Sequence, residues 1–258
     1  MEEKKTSFIY KIIRWFVWLF SPKFRLLGRE NLPEEPCVVV GNHCQMFGPI
    51  AGELFFPGRH EIWCAGEMMR LKEVPAYAYE DFWSFKPKAV RWFFRLASYL
   101  IAPLSVCVFN NAHTIPVYHD VRLRSTYRLS MDSLDAGENL IIFPEHNRTY
   151  NHILYDFQER FLDLARFYHK KTGKELQFVP LYIAPRLSLM ILGRPIRYCA
   201  SGPIEEERRR IKTCLMQEIT ALAESLPEHT VIPYRNIRKR DYPRNHPPEV
   251  CVHEKASR

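Results

Sequence analysis

Three short, uninterrupted apolar runs constrain this chain more than any other feature. Cys37-Val38-Val39-Val40, Leu140-Ile141-Ile142-Phe143 and Phe178 to Ala184 are rich in β-branched and aromatic residues. Gly41 stops the first and Pro144 the second. Such runs, too short for a buried helix and apolar on both alternating faces, read as strands covered on both sides. Ile115 to Tyr118 and Leu187 to Leu192 read as two more. Helical periodicity fills the gaps. Pro49 suits the first turn of a helix reaching Phe56. Residues 122–135 form a helix stopped by Gly137, and 154–171 form another, with Phe157, Phe161, Leu164, Ala165 and Tyr168 on one face and Gly173 at its end. Residues 204–226 form a charged C-terminal helix. This alternation predicts a single-domain α/β fold, a mostly parallel central sheet flanked by helices.

Composition narrows the class. The 258 residues are 47% apolar and 26% charged, which excludes disorder as the main state, and only 10 glycines argue against collagen-like or blade-repeat architectures. The seven cysteines are odd in number and show no CxxC pair, so they read as reduced thiols of a cytosolic compartment, with no metal site. The net charge of +8 fits a nucleic acid, an anionic membrane surface or an anionic substrate. No RNA- or DNA-binding pattern accompanies it, so nucleic acid is not taken as a partner.

Residues 8–20, FIYKIIRWFVWLF, repeat Ile9, Ile12, Ile13, Phe16, Val17 and Phe20 at helical spacing, with Lys4, Lys5, Lys11 and Arg14 as basic companions. The run is shorter than the ~20 residues that span a bilayer and carries no cleavage site. It reads as an interfacial helix on an anionic leaflet, the alternative being a helix docked on the core. Residues 89–109 are apolar but interrupted by Arg91, Arg95 and Pro103. They read as a helix followed by a strand, facing lipid or an acyl chain, or else as buried core. The chain thus divides into a membrane-contacting helix (1–27), an α/β domain (28–232) with an aromatic insertion at 77–109, and a basic tail (233–258) on the surface or disordered.

Two loops follow predicted strands, where α/β folds place ligands. One is Gly41-Asn42-His43-Cys44-Gln45-Met46-Phe47-Gly48-Pro49 and the other Phe143-Pro144-Glu145-His146-Asn147-Arg148-Thr149. A histidine just past a strand end is a candidate general base or a structural residue. Cys44 beside it is a nucleophile candidate or, more simply, a buried thiol.

Taken together, these loops resemble the motifs of the glycerophospholipid (lysophosphatidate-type) acyltransferase family. Asn42-His43 stands where the family has Asn-His-x4-Asp. Phe143-Pro144-Glu145, Arg148 and Thr149 stand where it has Phe-Pro-Glu-Gly-Thr-Arg-Ser. Leu134-x-x-Gly137-x-x-Leu140-Ile141-Ile142, Phe157 with Phe161 through Leu164-Ala165, Val179-Pro180-Leu181 and Gly193-Arg194-Pro195-Ile196 are similar to further family segments in the same order, over roughly residues 28–225.

The resemblance implies direct acyl transfer with no bound cofactor. His43 deprotonates a hydroxyl of a lysophosphatidate-like acceptor, and that oxygen attacks the thioester of acyl-CoA or an acyl-carrier protein. Backbone N–H groups at the helix start after Gly48 hold the oxyanion. Glu145, Asn147, Arg148 and Thr149 hold the acceptor phosphate or the loop that does so, and Arg122 and Arg124 add a phosphate contact. The expected place is the cytoplasmic face of a membrane, peripheral or monotopic. One departure stands out: the family's aspartate is Gly48 here. An orienting carboxylate is therefore missing, Glu53 lies on another helix face, and Gly48→Asp becomes the test of what was lost. The alternative is a catalytically weak or inactive relative that binds lipid or acyl-thioester.

Overall fold

Val38, Val39 and Val40 are all fully buried, but on opposite sides: Val38 and Val40 enter one apolar core and Val39 another. Strands of this kind lie in the middle of a sheet covered on both faces. The computed structural model describes residues 6–246 except residue 85, and nothing of the Asn147 side chain. Lys4, Lys5 and Cys251 lie outside the described residues.

In chain order the elements are α1 (Phe8–Phe20), β1 (Arg25–Leu27), β2 (Val38–Gly41), α2 (Phe47–Phe55), β3 (His60–Ala65), α3 (Val74–Ala78), α4 (Arg91–Asn111), β4 (Thr114–Val117), α5 (Leu123–Asp135), β5 (Asn139–Ile142), β6 (Glu145–Tyr150), β7 (Tyr155–Phe157), α6 (Asp163–Thr172), β8 (Gln177–Ala184), β9 (Leu189–Leu192), β10 (Ile196–Arg197) and α7 (Ile204–Glu224). The central sheet runs β1-β9-β8-β2-β5-β3-β4, with β10 also on β8. Strands β8, β2, β5, β3 and β4 are mutually parallel, whereas β9 and β10 run antiparallel to β8. The chain is thus a single α/β domain with a mostly parallel central sheet flanked by helices. Residues of α5, α6 and α7 share the core of Val38, Leu140 and Phe178. Ala51 of α2 shares the opposite core with Val39, Ile141 and Val179.

The topology opens a crevice. From β2 the chain passes through α2 and over β5 to reach β3, while from β5 it passes through α6 and over β2 to reach β8. Adjacent strands whose connections leave in opposite directions leave a gap at their carboxyl ends, the usual ligand position of such sheets.

The expected strand near residues 105–109 does not form, because α4 continues through Pro103 to Asn111. An internal proline costs a helix ~3 kcal/mol. Contacts beyond it offset that cost: Ser105 Oγ donates to the Met68 carbonyl at 2.9 Å, and the Asn110 and Asn111 side chains donate back to Val106 and Cys107 carbonyls. The expected loop after Pro144 and the start of the helix expected from 154 form instead a hairpin of β6 and β7. Phe157, Phe161, Leu164, Ala165 and Tyr168 still reach one core, the first from a strand and the second from a 3-10 turn. As far as residue 246 most of the tail lies exposed at the surface, anchored at a few points. Pro233 and Asn245 are buried, and Asn245 ties the His229 N–H to the carbonyls ending α7.

Of the two readings of α1, the alternative of a helix docked on the core is not met by most of its apolar face. Only Tyr10 is buried, while Phe8, Ile9, Ile12, Trp15, Phe16, Leu19 and Phe20 are exposed. Helix α4 is likewise inverted. It buries Ser98, Ala102 and Ser105 and exposes Trp92 (69%), Phe93, Leu96, Tyr99, Leu100 (73%) and Leu104. The two helices are in contact, with the Ser7 N–H at the start of α1 donating to the Asn111 side chain at the end of α4. The segment Lys88–Asn111 is also long and apolar enough to cross a membrane, by length and composition only.

Glu53 anchors α1. Its carboxylate accepts the Tyr10 hydroxyl at 2.6 Å, faces the Arg14 guanidinium at 3.5 Å and accepts the His113 backbone N–H. It is therefore committed away from His43. The Glu53 hydrogen bond raises the His113 pKa. Burial pushes Glu53 up, but the hydrogen bonds from His113 and Tyr10 outweigh it and hold the carboxyl low. Glu53→Ala should therefore cost roughly 2–3 kcal/mol in chemical denaturation and expose α1 to limited proteolysis at neutral pH. The sign follows from linkage: the Glu53 contribution is lost as pH falls below the carboxylate range, and the His113 contribution is lost as pH rises past the imidazole range.

Candidate functional site

Asn42 fixes the end of β2. Its side-chain carbonyl accepts the Ile183 N–H at 2.7 Å and its amide donates to the Ile183 carbonyl at 3.0 Å, so a side chain continues the strand pairing where the backbone leaves it. Cys44 sits below, fully buried, in contact with the Asn42 amide and the Ile183 carbonyl. Burial pushes its thiol well above the ordinary value, which makes it a structural thiol rather than a nucleophile.

Between these anchors the chain turns sharply. Cys44 and Gln45 both adopt positive φ, 44° and 57°. Such conformations cost about 1–3 kcal/mol each and persist where surrounding contacts over-determine them. The turn closes with Phe47 N–H on the Cys44 carbonyl and Gly48 N–H on the His43 carbonyl at 3.0 Å. A Cβ on Gly48 would lie 2.3 Å from the His43 carbonyl oxygen and 3.1 Å from that of Asn42. Gly48→Asp therefore has no room in this backbone and cannot restore an orienting carboxylate. The same bonds overturn the oxyanion expectation. The Phe47, Gly48 and Ile50 N–H groups at the start of α2 are already bonded to Cys44, His43 and Met46, and Pro49 has none.

His43 thus lies at the carboxyl end of β2, in the crevice. Its ring meets Phe143 edge-on at 5.6 Å and Tyr234 at 5.3 Å. Nδ1 is sealed from solvent and has no hydrogen-bond partner among the described residues, although the residue as a whole is only half-buried. Burial drops the imidazole pKa to about 4, partly offset by the carbonyls of Gln45 and His43. The ring is therefore a neutral imidazole throughout the physiological range.

The second loop meets it directly. Glu145, 3% exposed, accepts the His43 backbone N–H on Oε1 at 2.6 Å and the Tyr155 N–H on Oε2 at 2.7 Å. One buried carboxylate thus ties the histidine turn to both strands of the hairpin. Burial raises its pKa to about 7, against the two hydrogen bonds, which lower it. In this arrangement Glu145 positions the loop, and its oxygens face backbone rather than the crevice.

The remaining candidates divide. Arg148 and Thr149 stand exposed on β6, beyond Glu145. Arg122 is held by Asp120 and Glu73 and covers the Tyr118 ring at 3.9 Å, so its guanidinium is committed to structure. Arg124 is exposed near the start of α5. His146 pairs with Asp156 at 3.5 Å.

Sequence reasoning missed the tail's part in the site. Tyr234 covers the His43 ring, Tyr155 lies 6.3 Å from Tyr234 and stacks on Tyr150 at 4.4 Å, and Gln45 Nε2 donates to the Tyr242 hydroxyl at 2.9 Å. A signal existed: Val231-Ile232-Pro233-Tyr234 is an apolar run ending in a restricted backbone, the pattern of a segment that docks.

No family model matches the chain, and no curated protein matches it. Among solved structures it is similar to the crystal structure of the 1-acyl-sn-glycerophosphate (LPA) acyltransferase PlsC from Thermotoga maritima. The TM-score is 0.48 and the identity 18%, over 85% of this chain and 81% of that one.

Two outcomes follow from the turn and its carboxylate. Gly48→Ala should destabilise the fold by about 2–4 kcal/mol in a denaturant titration, because the obstructing atoms are backbone. The raised Glu145 pKa means that its contribution is full below the ordinary carboxylate value and is lost as pH climbs through about 7. Glu145→Gln keeps one acceptor and turns its NH2 on the other backbone donor, so it should be less stable than wild type at pH 5, with the gap narrowing by up to about 3 kcal/mol as the pH rises to 8. A difference independent of pH would contradict this.

Proposed function

We propose that this chain is a membrane-surface O-acyltransferase. It moves a fatty acyl group from acyl-CoA or an acyl-carrier protein to a hydroxyl of a lysophosphatidate-like acceptor. The observation that carries the reading is the 2.6 Å bond from the His43 N–H to Glu145. It joins the two motif segments, 102 residues apart, at one crevice of the sheet.

The chemistry assigned to His43 requires a free ring nitrogen, and the lowered pKa keeps the imidazole unprotonated. With Nδ1 sealed, the reactive nitrogen is Nε2. It takes the acceptor's hydroxyl proton as the oxygen attacks the thioester carbonyl. The C–O bond forms, the C–S bond breaks, and the imidazolium returns its proton to the leaving thiolate. Among the described residues no carboxylate faces the ring, and loss of such a partner costs ~10⁴ in kcat in the serine-histidine-aspartate template. The transfer is accordingly slow. The exposed apolar faces of α1 and α4 support presentation of the lipid at a bilayer surface. No bound cofactor enters the reaction.

A second reading, binding of lipid or acyl-thioester without turnover, is favoured by one observation: the turn has no space for a carboxylate at Gly48, and Tyr234 covers the ring.

Purified protein mixed with oleoyl-CoA and anionic vesicles carrying lysophosphatidate should release thiol and form diacyl product. His43→Ala should lower the rate by about 10²–10⁴ with an unchanged melting temperature. Saturable binding with no thiol release, unaffected by His43→Ala, would select the second reading instead.

A further inference from the structure

The basic run of the tail takes no part in the reaction above, yet the structure brings it to the site. From Tyr234, against the His43 ring, the segment runs to Tyr242, whose hydroxyl accepts from Gln45 two residues past His43. Its ends are secured: Pro233 is buried, and Thr230 and Arg244 form a β-bridge. Between Tyr234 and Tyr242 lies a cleft of about 620 Å³. Gln45, Lys86, Asn236, Arg238, Lys239 and Tyr242 contribute to its walls, together with Ile237 and Asp241. Three of these residues are cations and one is a carboxylate. Asp241 accepts from Arg238 Nε at 2.7 Å, which orients that guanidinium, and Arg240 approaches the same carboxylate at 3.8 Å.

We infer that this cleft is a phosphate-binding site, built by the C-terminal segment and Lys86 beside the histidine turn. Three properties of the cleft argue for it. Its net charge is positive, its donors are arginine, lysine and side-chain amides, and the guanidinium is held in place. Those groups recognise phosphate through charge-assisted hydrogen bonds. The phosphate belongs to the substrate of the adjoining crevice, either the acceptor's monoester or the phosphates of a CoA donor. The inference rests on the proposed function for this choice of ligands.

The double variant Arg238→Ala/Lys239→Ala tests it, with Lys239→Glu as a single-site companion. Both side chains are exposed, so thermal melts should match wild type. Calorimetry with free CoA and pantetheine reads the donor arm. Vesicle partitioning of lysophosphatidate against monoacylglycerol, which lacks the phosphate, reads the acceptor arm. The expected result is a loss of roughly tenfold or more in affinity for one phosphate-bearing probe, with no change for its phosphate-free counterpart. The arm that responds identifies the source. Affinities within twofold of wild type in both arms, or a wild-type protein that binds neither CoA nor lysophosphatidate, would overturn the site. Binding lost in the variants while wild type releases no thiol would leave the cleft standing and remove only the transferase reading.

Discussion

A single buried carboxylate holds the crevice together. Glu145 accepts one backbone N–H from the histidine turn and one from β7, at 2.6 and 2.7 Å. Two backbone donors buried at the end of a sheet are expensive to leave unpaired, and one bidentate acceptor satisfies both. The geometry of the turn, the hairpin and the wall of aromatic rings all depend on that bond pair. The cost is visible in the same residue. Its surroundings disfavour charge strongly enough to bring its pKa to about 7, so the clip is built from a group near its titration point.

The absent aspartate follows from the same local packing. Asn42 bonds to Ile183 and Glu145 holds the His43 N–H, so the chain has few ways left to leave β2. It takes two consecutive residues of positive φ and brings Gly48 against the His43 carbonyl. Only a residue without Cβ fits. The imidazole therefore sits among rings, and burial outweighs the carbonyls of Gln45 and His43 in lowering its pKa. A neutral, poorly basic histidine is the electrostatic consequence of a steric constraint six residues long.

Much of the fold was legible because its strands are buried on both faces. The runs at 37–40, 140–143 and 178–184 needed no periodicity to be recognised. Their order with the helices between them fixed the layer architecture. The crevice was legible for the same reason, since His43 and Glu145 each follow such a run. What was not legible depends on contacts far apart in sequence. Pro103 reads locally as a helix stop, and only Met68 across the packing interface, with the two asparagine side chains, carries α4 past it. Residues 155–157 look helical by spacing until a partner strand at Glu145 claims them. The role of Glu145 as a clip, the commitment of Arg122 and the docking of Tyr234 all hinge on partners from 10 to nearly 200 residues away.

The inverted helices and the basic cleft belong to one arrangement. Helix α4 turns its serines and alanine inward and its large apolar residues outward, the reverse of a helix covering a soluble core. Lys86, at the foot of that helix, reaches toward the Phe94 ring at 5.7 Å and also lines the cleft with Arg238 and Lys239. Burial, followed by the charges of Asp81 and Tyr234, raises the pKa of Tyr77 in α3, which packs on α4. Lys86 thus links α4 to the cleft, and Gln45, two residues past His43, links the cleft to the histidine turn.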